Sequence, residues 1–82
     1  MKQTNLQKAQ ARLREKFIKN GVKMLAPETV YFSKDTKIGK NVTIEPYVVI
    51  GEKVKIQNNS KIKSFSHLEN VKIEDNVTVG PF

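Results

Sequence analysis

Large aliphatic residues recur at every sixth position through most of the chain. Ile38, Ile44, Ile50, Ile56, Ile62 and Leu68 are each six apart, and Phe32 extends the row backward. After one five-residue step the row resumes at Ile73 and Val79. A second row lies four residues further on: Val30, Thr36, Val42, Val48, Val54, Ser60, Ser66 and Val77, all small or β-branched. Neither the helical period of 3.6 nor the strand period of two accounts for a repeat of six. Such a period predicts short, nearly identical turns of chain stacked as a solenoid.

The pattern has a direct physical reading. If each hexad is a short strand plus a corner, its aliphatic residue points into a narrow prism. The residue four places later also points in, where room is tight. Gly39, Gly51, Gly80, Asn41, Asn58, Asn59 and Asn76 occupy the places between, where a corner can need a positive φ. Three hexads close one triangular coil of about 18 residues, with parallel strands stacked about 4.8 Å apart. The predicted coil region is 32–82, with about three coils from residue 26 onward. The step at 68–72 implies either a tightened corner or an inward place for Val71.

Residues 4–20 read as a helix. Leu6, Ala9, Leu13 and Phe17 fall on one stripe. Thr4 and Gln7 have capping-box spacing, and Asn20-Gly21 supplies a left-handed stop. Lys16 and Lys19 suit the negative end of the helix dipole, and Glu15 and Lys19 are spaced for an ion pair. Residues 22–31 read as a join, with Pro27 holding Ala26 out of a helix.

Composition narrows the function classes. Eighty-two residues without cysteine exclude a disulfide framework and any thiolate metal site or nucleophile. No apolar run approaches the roughly 20 residues of a membrane span. With no signal peptide visible, a cytoplasmic protein is expected. The net charge of +7, from 15 Lys+Arg against 8 Asp+Glu, permits an anionic partner. Lys8, Arg12 and Lys16 form an i,i+4 stripe on the helix. A solvated face accounts for this stripe; an anion-binding surface is the alternative, and nucleic acid is disfavoured because no aromatics interleave with it.

An aliphatic–Gly–x–x–small–x hexad resembles the hexapeptide-repeat acyltransferases, and that resemblance implies a left-handed parallel β-helix preceded here by one α-helix. A closer match rests on Leu25-Ala26-Pro27-Glu28-Thr29-Val30-Tyr31-Phe32-Ser33, Asp35-Thr36-Lys37-Ile38-Gly39, Ile44-Glu45-Pro46, Ser64-Phe65-Ser66-His67-Leu68-Glu69 and Val79-Gly80-Pro81-Phe82. In order and spacing these segments resemble the bifunctional uridyltransferase/acetyltransferase family that makes UDP-N-acetylglucosamine for peptidoglycan and lipopolysaccharide. The helix resembles that family's linker between its nucleotidyltransferase domain and its β-helix. The resemblance implies Mg2+ and acetyl-CoA as cofactors of the full-length enzyme, but none held by this chain, because the segments carrying both catalytic sites have no counterpart in it. Asn5 does not inherit the family's metal-binding asparagine. The resemblance further implies a homotrimer, and allows separate catalytic pieces of the same enzyme as partners. The expectation is therefore a scaffold without a catalytic residue. The alternatives are a stand-alone trimerising scaffold or a basic anion- or nucleic-acid-binding module.

The remaining candidate chemistry is sparse. His67 is the only histidine and the only ready general base near neutral pH. Its place in the hexad points it outward. Asp35, Glu45, Glu69, Glu74 and Asp75 are spread over four hexads and give no paired-carboxylate site. The glycines are too far apart for a phosphate loop. Tyr47 and Phe65 share one hexad place, 18 residues apart. They are expected to stack on an outer face and to pack against another chain or against the helix.

Overall fold

The structure is a computed structural model, and it describes residues 4–80. A helix, α1 (Asn5–Lys19), is followed by ten strands: β1 (Lys23–Met24), β2 (Val30–Tyr31), β3 (Lys37–Ile38), β4 (Thr43–Ile44), β5 (Val48–Ile50), β6 (Val54–Ile56), β7 (Lys61–Ile62), β8 (His67–Leu68), β9 (Val71–Ile73) and β10 (Thr78–Val79). The strands sort into three parallel sheets ordered β1-β4-β7-β10, β2-β5-β8 and β3-β6-β9. Every third strand therefore returns to the same sheet, one level higher. The result is a triangular parallel β-solenoid of about three coils behind one helix, the layout of a hexapeptide-repeat left-handed β-helix. The last places of the repeat, Pro81 and Phe82, lie outside the described residues.

Both sequence rows supply the core. Val30, Val42, Val48, Val54, Ser60 and Ser66 are buried beside Ile44, Ile50, Ile56 and Ile62. Burying these aliphatics is worth about 1.5–3 kcal/mol per side chain. Two members of the rows depart from the pattern because a stack has ends. Ile38 in the first coil is only partly buried, and Val77 in the last stays 37% exposed.

Residues 22–31 are more than a join. They already carry β1 and β2, which pair with β4 and β5 of the next coil. Pro27 opens a short 3-10 turn, Pro27–Thr29, while Ala26, at φ −142° and ψ 79°, stays out of the helical region. The turn is allowed because proline at the first position lacks only an N–H that a helix start leaves unpaired.

The five-residue step is resolved by both expected devices together. Val54 pairs with Val71 and Ile56 with Ile73, a 17-residue step instead of 18. Val71 thus takes the inward place, and the corner Glu69-Asn70 has lost one residue. The corners also correct the role of two glycines. A positive φ occurs at Asn41, Tyr47, Lys53, Asn59, Phe65, Asn70 and Asn76, the residue just before each inward small one from Val42 onward. Gly39 and Gly51 do not share it. They lack a side chain because the coil above leaves no room: a Cβ on Gly51 would meet Leu68 O at 3.0 Å and Glu69 Cβ at 3.1 Å.

Helix α1 has the Thr4/Gln7 capping box, with bonds of 2.8 and 3.1 Å. It ends in a Schellman pair, Gly21 N–H to Ile18 O and Val22 N–H to Phe17 O. Its docking stripe differs from the simple apolar one. Leu6 is 66% exposed, whereas Gln10 and Phe17 are buried. Phe17 meets the Phe32 ring at 4.8 Å. The Gln10 amide donates to Phe32 O at 2.7 Å and accepts from Phe32 N–H at 2.8 Å. Arg14 Nε donates to Val30 O at 2.9 Å, and its guanidinium lies 5.2 Å from the Tyr31 ring centre.

Candidate functional site

Strand alternation decides which side chains can meet on the outside of the prism. On the β2-β5-β8 face the outward column runs Tyr31, Val49, His67. On the β3-β6-β9 face it is Lys37, Lys55, Lys72. On the β1-β4-β7-β10 face it is Lys23, Thr43, Lys61, Thr78.

Tyr47 and Phe65 stand at the corner between the last of these faces and the first. Their rings stack at 5.6 Å with planes 6° apart, and both remain largely exposed. Helix α1 does not cover them; it lies against Phe32, Val30 and Tyr31. Both aromatics hold a left-handed backbone, φ 61° and 65°, which costs a side-chain-bearing residue about 1–2 kcal/mol. Asparagine, which visits this conformation readily, fills four of the seven such corners. An exposed aromatic there brings the solitary chain little to offset the cost.

Lys8, Arg12 and Lys16 are all exposed on the outer side of α1, and the Lys16 ammonium lies 5.7 Å from the Phe17 ring centre. His67 is exposed, with Nε2 3.3 Å from Glu69 Oε1. Ser66 faces the opposite way: it is buried, and its hydroxyl donates to Lys63 O at 2.8 Å. Adjacency in sequence thus puts this serine and histidine on opposite sides of the wall, where no proton can pass between them.

Three of the carboxylates are committed to the backbone. Asp35 accepts the Lys53 N–H at 3.1 Å, and Asp75 accepts the Asn58 N–H at 2.9 Å. Glu45 accepts the Ser64 N–H at 3.0 Å and lies 3.5 Å from the Lys61 ammonium. The hydrogen bond from Ser64, supported by Lys61 and Lys63, holds the Glu45 carboxyl below its ordinary pKa against a smaller opposing effect of burial. Each bond ties one coil to its neighbour. Among the described residues no three of His, Cys, Asp and Glu gather closely enough to hold a metal ion. A surface hollow of about 320 Å³ is lined by Lys37, Ile38, Lys55, Gln57, Asn58 and Asp75, and it brings together no base and nucleophile. Among the described residues the side chains do not fit Mg2+.

The hexads match a family profile described as "Bacterial transferase hexapeptide (six repeats)" over residues 35–70. This chain is a hexapeptide-repeat domain. It is 51% identical over 73 residues, 89% of the chain, to the "Bifunctional protein GlmU" of Zymomonas mobilis. It is 52% identical over 69 residues, 84% of the chain, to the protein of that name from Wolbachia pipientis wMel. With the Bradyrhizobium diazoefficiens protein of that name it shares 58% over 59 residues, 72% of the chain. The domain spans 16% of the length of the first two relatives and 13% of the third. The match reaches past the hexads, since 73 residues exceed the 51 of residues 32–82. No helix among the described residues is long and apolar enough to cross a membrane.

Two residues that matter to the domain were missed in sequence, Gln10 and Arg14. A signal was available for Gln10. It lies four residues after Leu6 and three before Leu13, so a neutral amide interrupts the apolar side of the helix.

Proposed function

We propose that these residues are the linker helix and first coils of an enzyme that makes UDP-N-acetylglucosamine, and that this segment is scaffold. The observation that carries the reading is about 50% identity to GlmU proteins over nearly the whole chain. The chemistry of the described residues supports it: the outward carboxylates Asp35, Glu45 and Asp75 bind neighbouring coils, Ser66 faces inward, and His67 meets only Glu69 at the surface. The domain's task is then to hold catalytic parts at a fixed distance and rotation. On this reading it works in the cytoplasm, in the supply of cell-wall and lipopolysaccharide precursor. The test is direct assay of the purified 82-residue chain with acetyl-CoA plus glucosamine-1-phosphate, and with UTP plus N-acetylglucosamine-1-phosphate. No turnover is expected in either. Turnover lost on His67→Ala would overturn the scaffold reading.

The scaffold also associates as a homotrimer, on this proposal, through the corner bearing Tyr47 and Phe65. Two exposed aromatics in a costly backbone conformation support this surface, because burial between chains returns the stability that the lone chain forgoes. Tyr47→Asn/Phe65→Asn keeps corner-compatible residues. It is expected to reduce the sedimenting species to a monomer with little change in melting. A trimer that survives the double substitution would exclude this corner.

A further inference from the structure

The outward columns differ in how they handle stacked positive charge. Parallel strands set residues of like place one above another, and like charges so placed repel. On the β1-β4-β7-β10 face, Thr43 separates Lys23 from Lys61, and Lys61 is met by Glu45. On the β3-β6-β9 face, Lys72 has Glu74 at 3.9 Å. Lys37 and Lys55 are different. They lie on adjacent levels of that face, Lys37 beneath Lys55, and both are exposed. Among the described residues neither forms an ion pair.

Both lysines border the hollow of about 320 Å³. A second hollow adjoins it round the corner of the prism, bordered by Lys40 and Lys19. The two share Ile38, Gly39 and Asn58. Gly39 keeps this shared floor open, since a Cβ there would run into the Asn58 amide oxygen. That oxygen accepts the Lys40 N–H at 2.7 Å, which fixes the amide and leaves its NH2 as a donor. The opposing charges on the rim are already engaged. Asp75 accepts the Asn58 N–H at 2.9 Å, and Glu15 lies 3.6 Å from the Lys19 ammonium.

We propose that the paired hollows hold a diphosphate group, with one phosphate between Lys37 and Lys55 and the other toward Lys40 and Lys19. The proposal rests on neither the enzymatic reading nor the trimer. Two stacked ammoniums without a counter-ion favour an anion between them, and lysine binds phosphate as a point charge. One phosphate reaches one lysine pair, whereas two linked phosphates span both hollows. The Asn58 NH2 supplies a neutral donor where the hollows meet. Nucleic acid fits less well, because the exposed aromatics that could stack bases stand elsewhere: Tyr31 on the β2-β5-β8 face, and Tyr47 and Phe65 at the opposite corner. The C-terminal end of α1 borders the second hollow through Asn20 and Gly21. Its carbonyls at Phe17 and Ile18 are taken by the N–H groups of Val22 and Gly21, which lessens their repulsion of an anion.

Inorganic diphosphate titrated into the 82-residue chain in metal-free buffer tests this, by calorimetry and by amide NMR shifts. The expected result is saturable binding that weakens with salt, with the largest shifts at Ile38, Gly39 and Asn58. Lys37→Gln/Lys55→Gln should lower affinity at least about tenfold. It should melt no lower than the parent, since it removes a repulsion. Lys37→Arg/Lys55→Arg should retain binding. Lys8→Gln/Arg12→Gln takes the same charge from the outer side of α1 and should bind as the parent does. Orthophosphate should bind more weakly than diphosphate. ADP in a parallel titration separates two sources of the group: tighter binding than diphosphate assigns an esterified diphosphate, and weaker binding assigns the free ion. Absence of saturable binding overturns the proposal, as does binding that survives Lys37→Gln/Lys55→Gln. An equal loss in both glutamine variants also overturns it, because diffuse charge then accounts for the binding. Orthophosphate binding as tightly as diphosphate does the same.

Discussion

Residue by residue, the solenoid asks different things of places that look alike in sequence. Seven corner residues must hold a left-handed backbone, and asparagine, lysine and two aromatics do so. Gly39 and Gly51 have another duty, which is to make room for the coil above. The hexad rows showed that a small residue belongs at these places. They could not show which of conformation and contact required it, because both favour Gly and Asn. The distinction is testable at Gly51. Its substitution by alanine drives a Cβ against the backbone oxygen of Leu68, an overpacking that costs about 1–3 kcal/mol. Urea denaturation should show the midpoint fall with the slope unchanged. Glu45 gives a test in pH. Folding lowers its pKa, so the unfolded chain binds the proton more readily. Its contribution is complete above the ordinary glutamate value of about 4.3 and is lost as pH falls through the lower folded value. Glu45→Gln should destabilise the chain at neutral pH, and its denaturation midpoint should converge with that of the parent on acidification.

Elements of this chain are too short to be stable alone, and each depends on what it stacks against. The strands are two or three residues long, below the length at which propensity decides anything. Their order and pairing were nevertheless legible in the aliphatic rows, because a period of six fixes which residue faces in at every turn. Helix α1 was legible in its caps and its length. Its docking is less legible, because the apolar stripe runs through Leu6 and omits Gln10. The reason is physical: the helix meets a strand edge, which offers backbone groups as well as apolar surface, so an amide fits where an aliphatic would leave those groups unpaired. Phe17 supplies the apolar half of the contact, at 4.8 Å from the Phe32 ring. Phe17→Ala should lower stability by about 3–5 kcal/mol. Amide exchange would then show Phe32 N–H among the first protected groups to open.

At the scale of the whole molecule, charge is distributed along the axis. The excess of positive charge lies in residues 4–40, while residues 41–80 carry five basic and five acidic side chains. The composition gave the total but not this axial arrangement, which needs the stacking order of the coils. Arg12 sits between Lys8 and Lys16 on one exposed stripe of the basic end. Replacing it with glutamate makes the spacings to Lys8 and Lys16 attractive and the spacing to Glu15 repulsive, a net gain of about 0.4–1 kcal/mol at low ionic strength. A thermal melt should show the gain, and added salt should shrink it. The shortened corner at Glu69-Asn70 carries a wider consequence. In an ordinary sheet, losing one residue reverses the facing of every side chain beyond it. Here the loss ends within two residues, and Val71 and Ile73 resume the inward places directly above Val54 and Ile56. Chain length at a corner is therefore free to drift while facing is held constant, so such corners are where insertions and deletions can accumulate without cost to the coils on either side.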